Sequence, residues 1–243
     1  MIRCDQLTRR LGEFTAVDSL NLEVPKATIC AFLGPNGAGK STTLKMLTGL
    51  IEPTSGSVRI GGETPARMKS RMGVLPENLG LFDDLTVEEH LLLTADLYGL
   101  HAPTAGERIE QLLHVLRLEE GRDRLASQCS HGMRKKTSFA MALLPNPEVL
   151  FLDEPFEAID PVTARLMFEV LSKAASRGIT VFLTSHILSI AERLAAQFVL
   201  IRNGRLVLDS SAAALDKPLE DLYFSLAEDA ITGELPWLGC ERS

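Results

Sequence analysis

The chain reads as an α/β protein: a sheet covered by helices, an antiparallel β-subdomain ahead of it, and a helical subdomain inserted into it. Three observations predict this. The apolar run Ile29-Cys30-Ala31-Phe32-Leu33 leads directly into Gly34-Pro35-Asn36-Gly37-Ala38-Gly39-Lys40-Ser41-Thr42. A second run, Glu148-Val149-Leu150-Phe151-Leu152, closes on Asp153-Glu154-Pro155. A third, Gly178-Ile179-Thr180-Val181-Phe182-Leu183, closes on Thr184-Ser185-His186. Strands apolar on both faces belong inside a sheet with helices on either side. The first ends on a glycine-rich loop, and the other two end on polar side chains.

The elements follow in order. Residues 1–30 alternate enough (Ile2, Leu7, Ala16-Val17, Leu20, Leu22, Val24) to predict short antiparallel strands, and Ser57-Val58-Arg59-Ile60 before Gly61-Gly62 predicts another. Behind Thr42, Leu44, Met46, Leu47 and Leu50 continue as a helix. Residues 86–144 change period: Val87, Leu91, Ala95 and Tyr98 share one helical face, and Ile109, Leu112, Leu113 and Leu116 repeat at helical spacing. Thr104 with Glu107 reads as a capping box for that second helix. After His186 a helix carrying Ile190 and Arg193-Leu194 leads to the strand Phe198-Val199-Leu200-Ile201. Asn203-Gly204 is a two-residue hairpin turn into Leu206-Val207-Leu208. Residues 211–243 read as a short helical tail with Leu219, Leu222, Tyr223 and Leu226 on one stripe. That stripe packs on the domain or on a partner.

Composition bounds the function. A chain of 243 residues, 45% hydrophobic and 23% charged, makes one large domain or two small ones. A net charge of −7 argues against a dedicated nucleic-acid binder. No apolar run approaches bilayer-spanning length and no secretory leader is visible, so the expected place is the cytosol, with any membrane work passing through a partner. Cys4, Cys30, Cys129 and Cys240 lack metal-ligand spacing and are expected as free thiols.

Residues 34–42 are a full Gly-x-x-x-x-Gly-Lys-Ser phosphate loop in the strand–loop–helix setting the motif requires. Its glycines let successive N–H groups point at phosphate oxygens, and the new helix adds its positive end. Lys40 reaches the β- and γ-phosphates, and the Ser41 hydroxyl holds Mg²⁺. Asp153 anchors Mg²⁺ through water, if its strand neighbours the loop's, and Glu154 polarises the water in line with the γ-phosphate. Glu154 and Asp153 also fit an acidic turn before Pro155. His186, leaving a buried strand at the same edge, contacts the γ-phosphate or orders that water.

At this point the motifs resemble the nucleotide-binding domains of ATP-binding-cassette (ABC) transporters, over roughly residues 1–210. Cys129-Ser130-His131-Gly132-Met133 matches the family signature Leu-Ser-Gly-Gly-Gln at Ser130 and Gly132, followed by Arg134-Lys135-Lys136. Ser130 opens a helix whose N–H groups can receive an anion. Glu157-Ala158-Ile159-Asp160-Pro161 is similar to the D-loop, with Asp160 at a dimer seam, and Gly73-Val74-Leu75-Pro76-Glu77 to the Q-loop beside the Mg²⁺ site. Glutamate instead of glutamine at Glu77 resembles exporters whose membrane subunits are of the second type. Two departures matter. Leu11-Gly12 stands where the family places an adenine-stacking aromatic, with Phe14 close by. Cys129 and His131 replace the leucine and first glycine of the signature.

The resemblance implies a core of the P-loop, RecA-like kind and an ATPase using ATP and Mg²⁺, with its helical subdomain at about 84–144. Two copies sandwich ATP between phosphate loop and signature and drive a separate membrane-spanning permease, from the inner face of the membrane and in the export direction. The rival is a cassette ATPase acting on nucleic acid or ribosomes. Such proteins usually carry coiled-coil insertions, and no heptads lie between Lys40 and Ser130.

Overall fold

The computed structural model describes residues 1–227. Strands β1 (Ile2–Leu11) and β2 (Phe14–Val24) form an antiparallel hairpin. They run longer than the short strands expected, because residues at positive φ, Gln6 and Ser19, absorb the register shifts that keep the apolar side chains on one face. β3 (Ile29–Leu33) enters the phosphate loop, which opens α1 (Lys40–Leu47). That helix stops at Leu47: Gly49 takes a left-handed φ of 69°, and Leu50, expected within the helix, lies beyond it and is exposed.

β4 (Ser55–Ile60) pairs with β1, so the first sheet has the order β2-β1-β4. A short helix, α2 (Pro65–Met68), precedes β5 (Met72–Leu75). Three helices follow, α3 (Val87–Leu97), α4 (Ala102–Val115) and α5 (His131–Leu143). The capping box sits on α3: Thr86 accepts from Glu89 N–H while the Glu89 carboxylate accepts from Thr86 N–H. The box expected at Thr104 and Glu107 does not form. α4 already begins at Ala102, where Pro103, with its fixed φ and missing N–H, suits a first turn.

β6 (Val149–Leu152), α6 (Pro161–Ser176), β7 (Thr180–Ser185), α7 (Leu188–Leu194), β8 (Gln197–Arg202) and β9 (Arg205–Ser211) complete the main sheet, in the order β5-β6-β7-β3-β8-β9. Its strands are parallel except β9. Asn203 and Gly204, with φ of 49° and 76°, form the tight turn between β8 and β9. α8 (Leu219–Ala227) buries Leu219 and packs Tyr223 against the domain. The rest of the expected tail, with Cys240, lies outside the described residues.

The period-two pleat of the strands divides the interior in two. Ile29, Ala31, Leu33, Leu150, Leu152, Val181 and Leu183 point to a core shared with α3 to α7. Cys30, Phe32, Val149, Phe151 and Phe182 point the other way, to a core closed by α1 and the antiparallel sheet. There the Phe182 ring touches both Phe32 and Phe151, with centroids 5.2 and 6.0 Å apart. With both faces covered, the sheet exposes its C-terminal edge, and the polar strand ends gather there.

Candidate active site

The phosphate loop is shaped by two glycines with no room for a side chain. A Cβ on Gly39, at φ 106°, would lie 2.4 Å from the Ala16 carbonyl oxygen. One on Gly34 would lie 2.4 Å from that of Ile201. Gly39 is the N-cap of α1, so Lys40, Ser41 and Thr42 stand at the positive end of the helix. The buried Lys40 ammonium curls back over the loop, donating to the carbonyls of Gly34 at 2.8 Å and Pro35 at 3.3 Å.

The two carboxylates arrive from β6. The sequence reading placed Asp153 beside the loop on condition that their strands were neighbours. They are not: β7 lies between β6 and β3, and Ser41 Oγ nevertheless reaches Asp153 Oδ1 at 3.3 Å. Thr184, at the end of β7, fills the gap, donating to Asp153 Oδ1 at 2.6 Å. Glu154 N–H donates to the same hydroxyl at 2.9 Å. Glu154 itself takes a left-handed φ of 45°. One carboxylate oxygen pairs with Lys40 at 3.4 Å and the other accepts from His186, from its ring Nδ1 at 3.0 Å and its main-chain N–H at 3.3 Å.

Lys40, Glu154 and His186 line one cleft of about 410 Å³ with Pro35, Asn36, Gly37, Gly39, Ser41, Thr42, Glu77 and Glu157, whereas the buried Asp153 and Thr184 are not among its lining residues. Leu11 and Phe14 stand at its side, paired across the β1–β2 turn and both exposed. Phe14 is therefore placed on the cleft, which its spacing alone left open. Gly34 and Ala38 belong to the loop behind it.

Ser130, Gly132 and Asp160 do not line this cleft. Ser130 caps α5, accepting from Met133 N–H at 3.2 Å. Asp160 caps α6 through the N–H groups of Val162 and Thr163, at 2.9 and 3.0 Å, and accepts from the Thr163 hydroxyl at 2.6 Å. That hydroxyl bond, with the main-chain donors, holds the Asp160 carboxyl below its ordinary pKa. The two caps face each other: a Cβ on Gly132 would lie 3.7 Å from Asp160 Oδ2.

Two residues carried no role in the sequence reading. In sequence Thr184 is only a strand end, although a threonine closing a buried strand is itself a signal that its hydroxyl is used. Lys135 was read as part of a basic helix, yet it is buried and its ammonium donates to the Glu154 carbonyl at 2.7 Å. Burial pushes its pKa below the usual lysine value, and the neighbouring carboxylates, Glu157 foremost, oppose that.

A glycine-lined phosphate loop with a buried lysine, a hydroxyl on an aspartate, and a glutamate held by a histidine defines a P-loop nucleoside-triphosphatase. The family model described as ABC transporter matches residues 17–157, more than half of the chain. The chain belongs to the ABC transporter family, as one of its ATP-binding and ATP-hydrolysing subunits. It is 37% identical over 218 residues to the Nod factor export ATP-binding protein I of Paraburkholderia xenovorans (strain LB400), covering 88% of this chain and 72% of that protein. It is 39% identical over 212 residues to the bacitracin transport ATP-binding protein BcrA of Bacillus licheniformis, covering 85% and 68%. A solved structure described as the ATP-binding subunit of an ABC transporter superposes with a TM-score of 0.87 at 30% identity, over 94% of this chain and all of that one. The dimeric cassette MJ0796, in a post-hydrolysis state bound to ADP and Pi, shares the fold, with a TM-score of 0.81 at 23% identity, over 88% of this chain and all of that one. None of these relatives favours a nucleic-acid or ribosomal role. Among the described residues no helix is long and apolar enough to cross a membrane.

Proposed function

We propose that this chain is the motor of a two-part exporter: two copies close on ATP, hydrolyse it, reopen, and thereby drive a separate membrane-spanning permease from the cytoplasmic face. The working unit is residues 1–210, with its helical subdomain at about 84–144. The observation that carries the reading is the division of the anion site. The phosphate loop, Glu154 and His186 line one cleft, whereas the helix end capped by Ser130 lies outside it. In the closed pair, Ser130 and Gly132 of one copy meet the γ-phosphate held by the other, with Asp160 at the seam. A ligand gripped from both sides favours the closed state because only that state makes both sets of contacts. The names of the relatives, a Nod factor exporter and a bacitracin transporter, support a transport role and the export direction.

The residues have these roles. Main-chain N–H groups of residues 36–42 and the Lys40 ammonium bind the phosphates. Glu154 takes up the proton of the attacking water, and His186 keeps the carboxylate and that water in line. The donor set fits Mg²⁺: a hydroxyl and a carboxylate, both hard oxygen donors, sit 3.3 Å apart at Ser41 and Asp153, and Glu77 lines the cleft with Ser41. When bound, Mg²⁺ supplies positive charge to the β- and γ-phosphate oxygens. At the base, Phe14 takes the stacking role that Leu11 cannot.

Glu154→Gln tests the reading. It should bind ATP, lose about 100-fold or more in turnover and elute as a dimer with ATP. Wild-type turnover, or a monomer at saturating ATP, overturns it.

A further inference from the structure

Outside the phosphate loop, Lys135 is the most deeply buried cation beside the cleft, with 3% of its surface exposed. It is the fifth residue of α5, the helix that Ser130 caps. Its ammonium is aimed at a main-chain oxygen of the residue proposed as the base. Glu154 is a non-glycine residue at positive φ, a conformation that costs about 1 kcal/mol or more and persists only where its surroundings hold it. Both of its peptide groups are held. The Thr184 hydroxyl takes the N–H at 2.9 Å, and Lys135 takes the carbonyl at 2.7 Å. Without the second hold the turn is free to relax toward ordinary φ, which rotates the carboxylate away from Lys40 and His186.

We propose that Lys135 is a positioning residue for ATP hydrolysis: by gripping the Glu154 carbonyl it holds the left-handed turn that aims the carboxylate, and it ties that turn to the helix carrying Ser130. The inference rests on the reading of Glu154 as the base. It gives that reading a mechanical consequence. A shift of α5 when its N-terminus meets phosphate moves Lys135, and with it the backbone of Glu154 in the same copy. The capping residue Ser130 and the grip on the base, Lys135, are then parts of one lever, five residues apart on one helix. A structural contribution alone explains the lysine poorly. Burial disfavours its charged form, and an unbranched apolar side chain fills the same volume without that penalty.

The experiment uses the full chain, with ATP affinity, steady-state hydrolysis and thermal midpoint measured on each variant. Lys135→Met should keep its midpoint and bind ATP within about threefold of the parent while kcat falls about tenfold or more, a loss confined to the transition state. Lys135→Arg, which keeps charge and donor, should recover most of the rate. In a Glu154→Gln background, Lys135→Met should add little further loss, because groups acting as one unit are not additive. A slow Glu154→Gln beside a Lys135→Met of parental rate overturns the positioning role alone. A Glu154→Gln of parental rate overturns the base assignment, and this inference with it. Equal falls in affinity, rate and midpoint in both Lys135 variants reduce the residue to scaffold and also overturn it. If Lys135→Met does not fold, Lys135→Leu, which likewise has no donor, takes its place in every comparison.

Discussion

The Thr184 hydroxyl donates to the Asp153 carboxylate at 2.6 Å while accepting the N–H of Glu154 at 2.9 Å. One side chain from β7 thus fixes both acidic residues at the end of β6. Replacing it by the isosteric valine leaves a buried N–H and a carboxylate oxygen without that partner. Thr184→Val should lose about 1–3 kcal/mol in urea unfolding and most of its turnover, with ATP affinity less affected. Parental stability would show that water replaces the hydroxyl.

The proposed base-stacking role separates Leu11 from Phe14. Phe14→Ala should weaken ATP binding by about tenfold, the low-to-middle range for one base on one aromatic face, and Phe14→Trp should preserve it. Leu11→Ala should change affinity by less than about threefold, as befits a small apolar contact. Titration with a fluorescent ATP analogue checks both, and the reverse ranking would move the platform to Leu11.

Asp160 gives a pH signature. Hydrogen bonding to Thr163 lowers its pKa in the folded chain below the ordinary 3.8. The ionised cap therefore adds stability that is fully present above 3.8 and is lost as pH falls through the lower folded value. Asp160→Ala should unfold at lower urea than the parent at neutral pH, and the gap should narrow in acid below 3.8. A gap of constant size would show that the carboxylate charge adds nothing to the cap.

Gly73 marks a close approach of sheet and helix. A Cβ there would lie 2.0 Å from the Ala142 carbonyl oxygen and 2.7 Å from a Leu150 methyl. Gly73→Ala must push α5 off β5, at a cost of about 1–3 kcal/mol or more for overpacking. Because Lys135 rides on α5, turnover should fall along with stability. A thermal midpoint within about 1 °C of the parent, well below the shift of several degrees such a cost implies, would mean the interface gives way freely.

Local pattern carried much of this. The apolar runs 29–33, 148–152 and 178–183 announced a buried sheet because no exposed strand is apolar on both faces, and Asn203-Gly204 announced its hairpin because both residues tolerate positive φ. Where two local signals compete, the structure takes the one with the stronger backbone constraint. Thr104 and Glu107 have capping spacing, but Pro103 starts α4 earlier, and the true box is Thr86 with Glu89. Leu50 fits a helical stripe that Gly49 ends.

The sequence by itself determined the kind of chemistry: the spacing of Gly34, Gly39, Lys40 and Ser41 and the pair Asp153-Glu154 depend on neighbours a few residues away, and such contacts are written in order along the chain. Only the tertiary structure decided that β7 slips between the two motif strands, so that Thr184 holds Asp153 and Glu154, and that Lys135 turns inward onto Glu154. Those are contacts across 30 and 19 residues of chain. They are set by strand order and helix packing, and no local pattern of residue types encodes either.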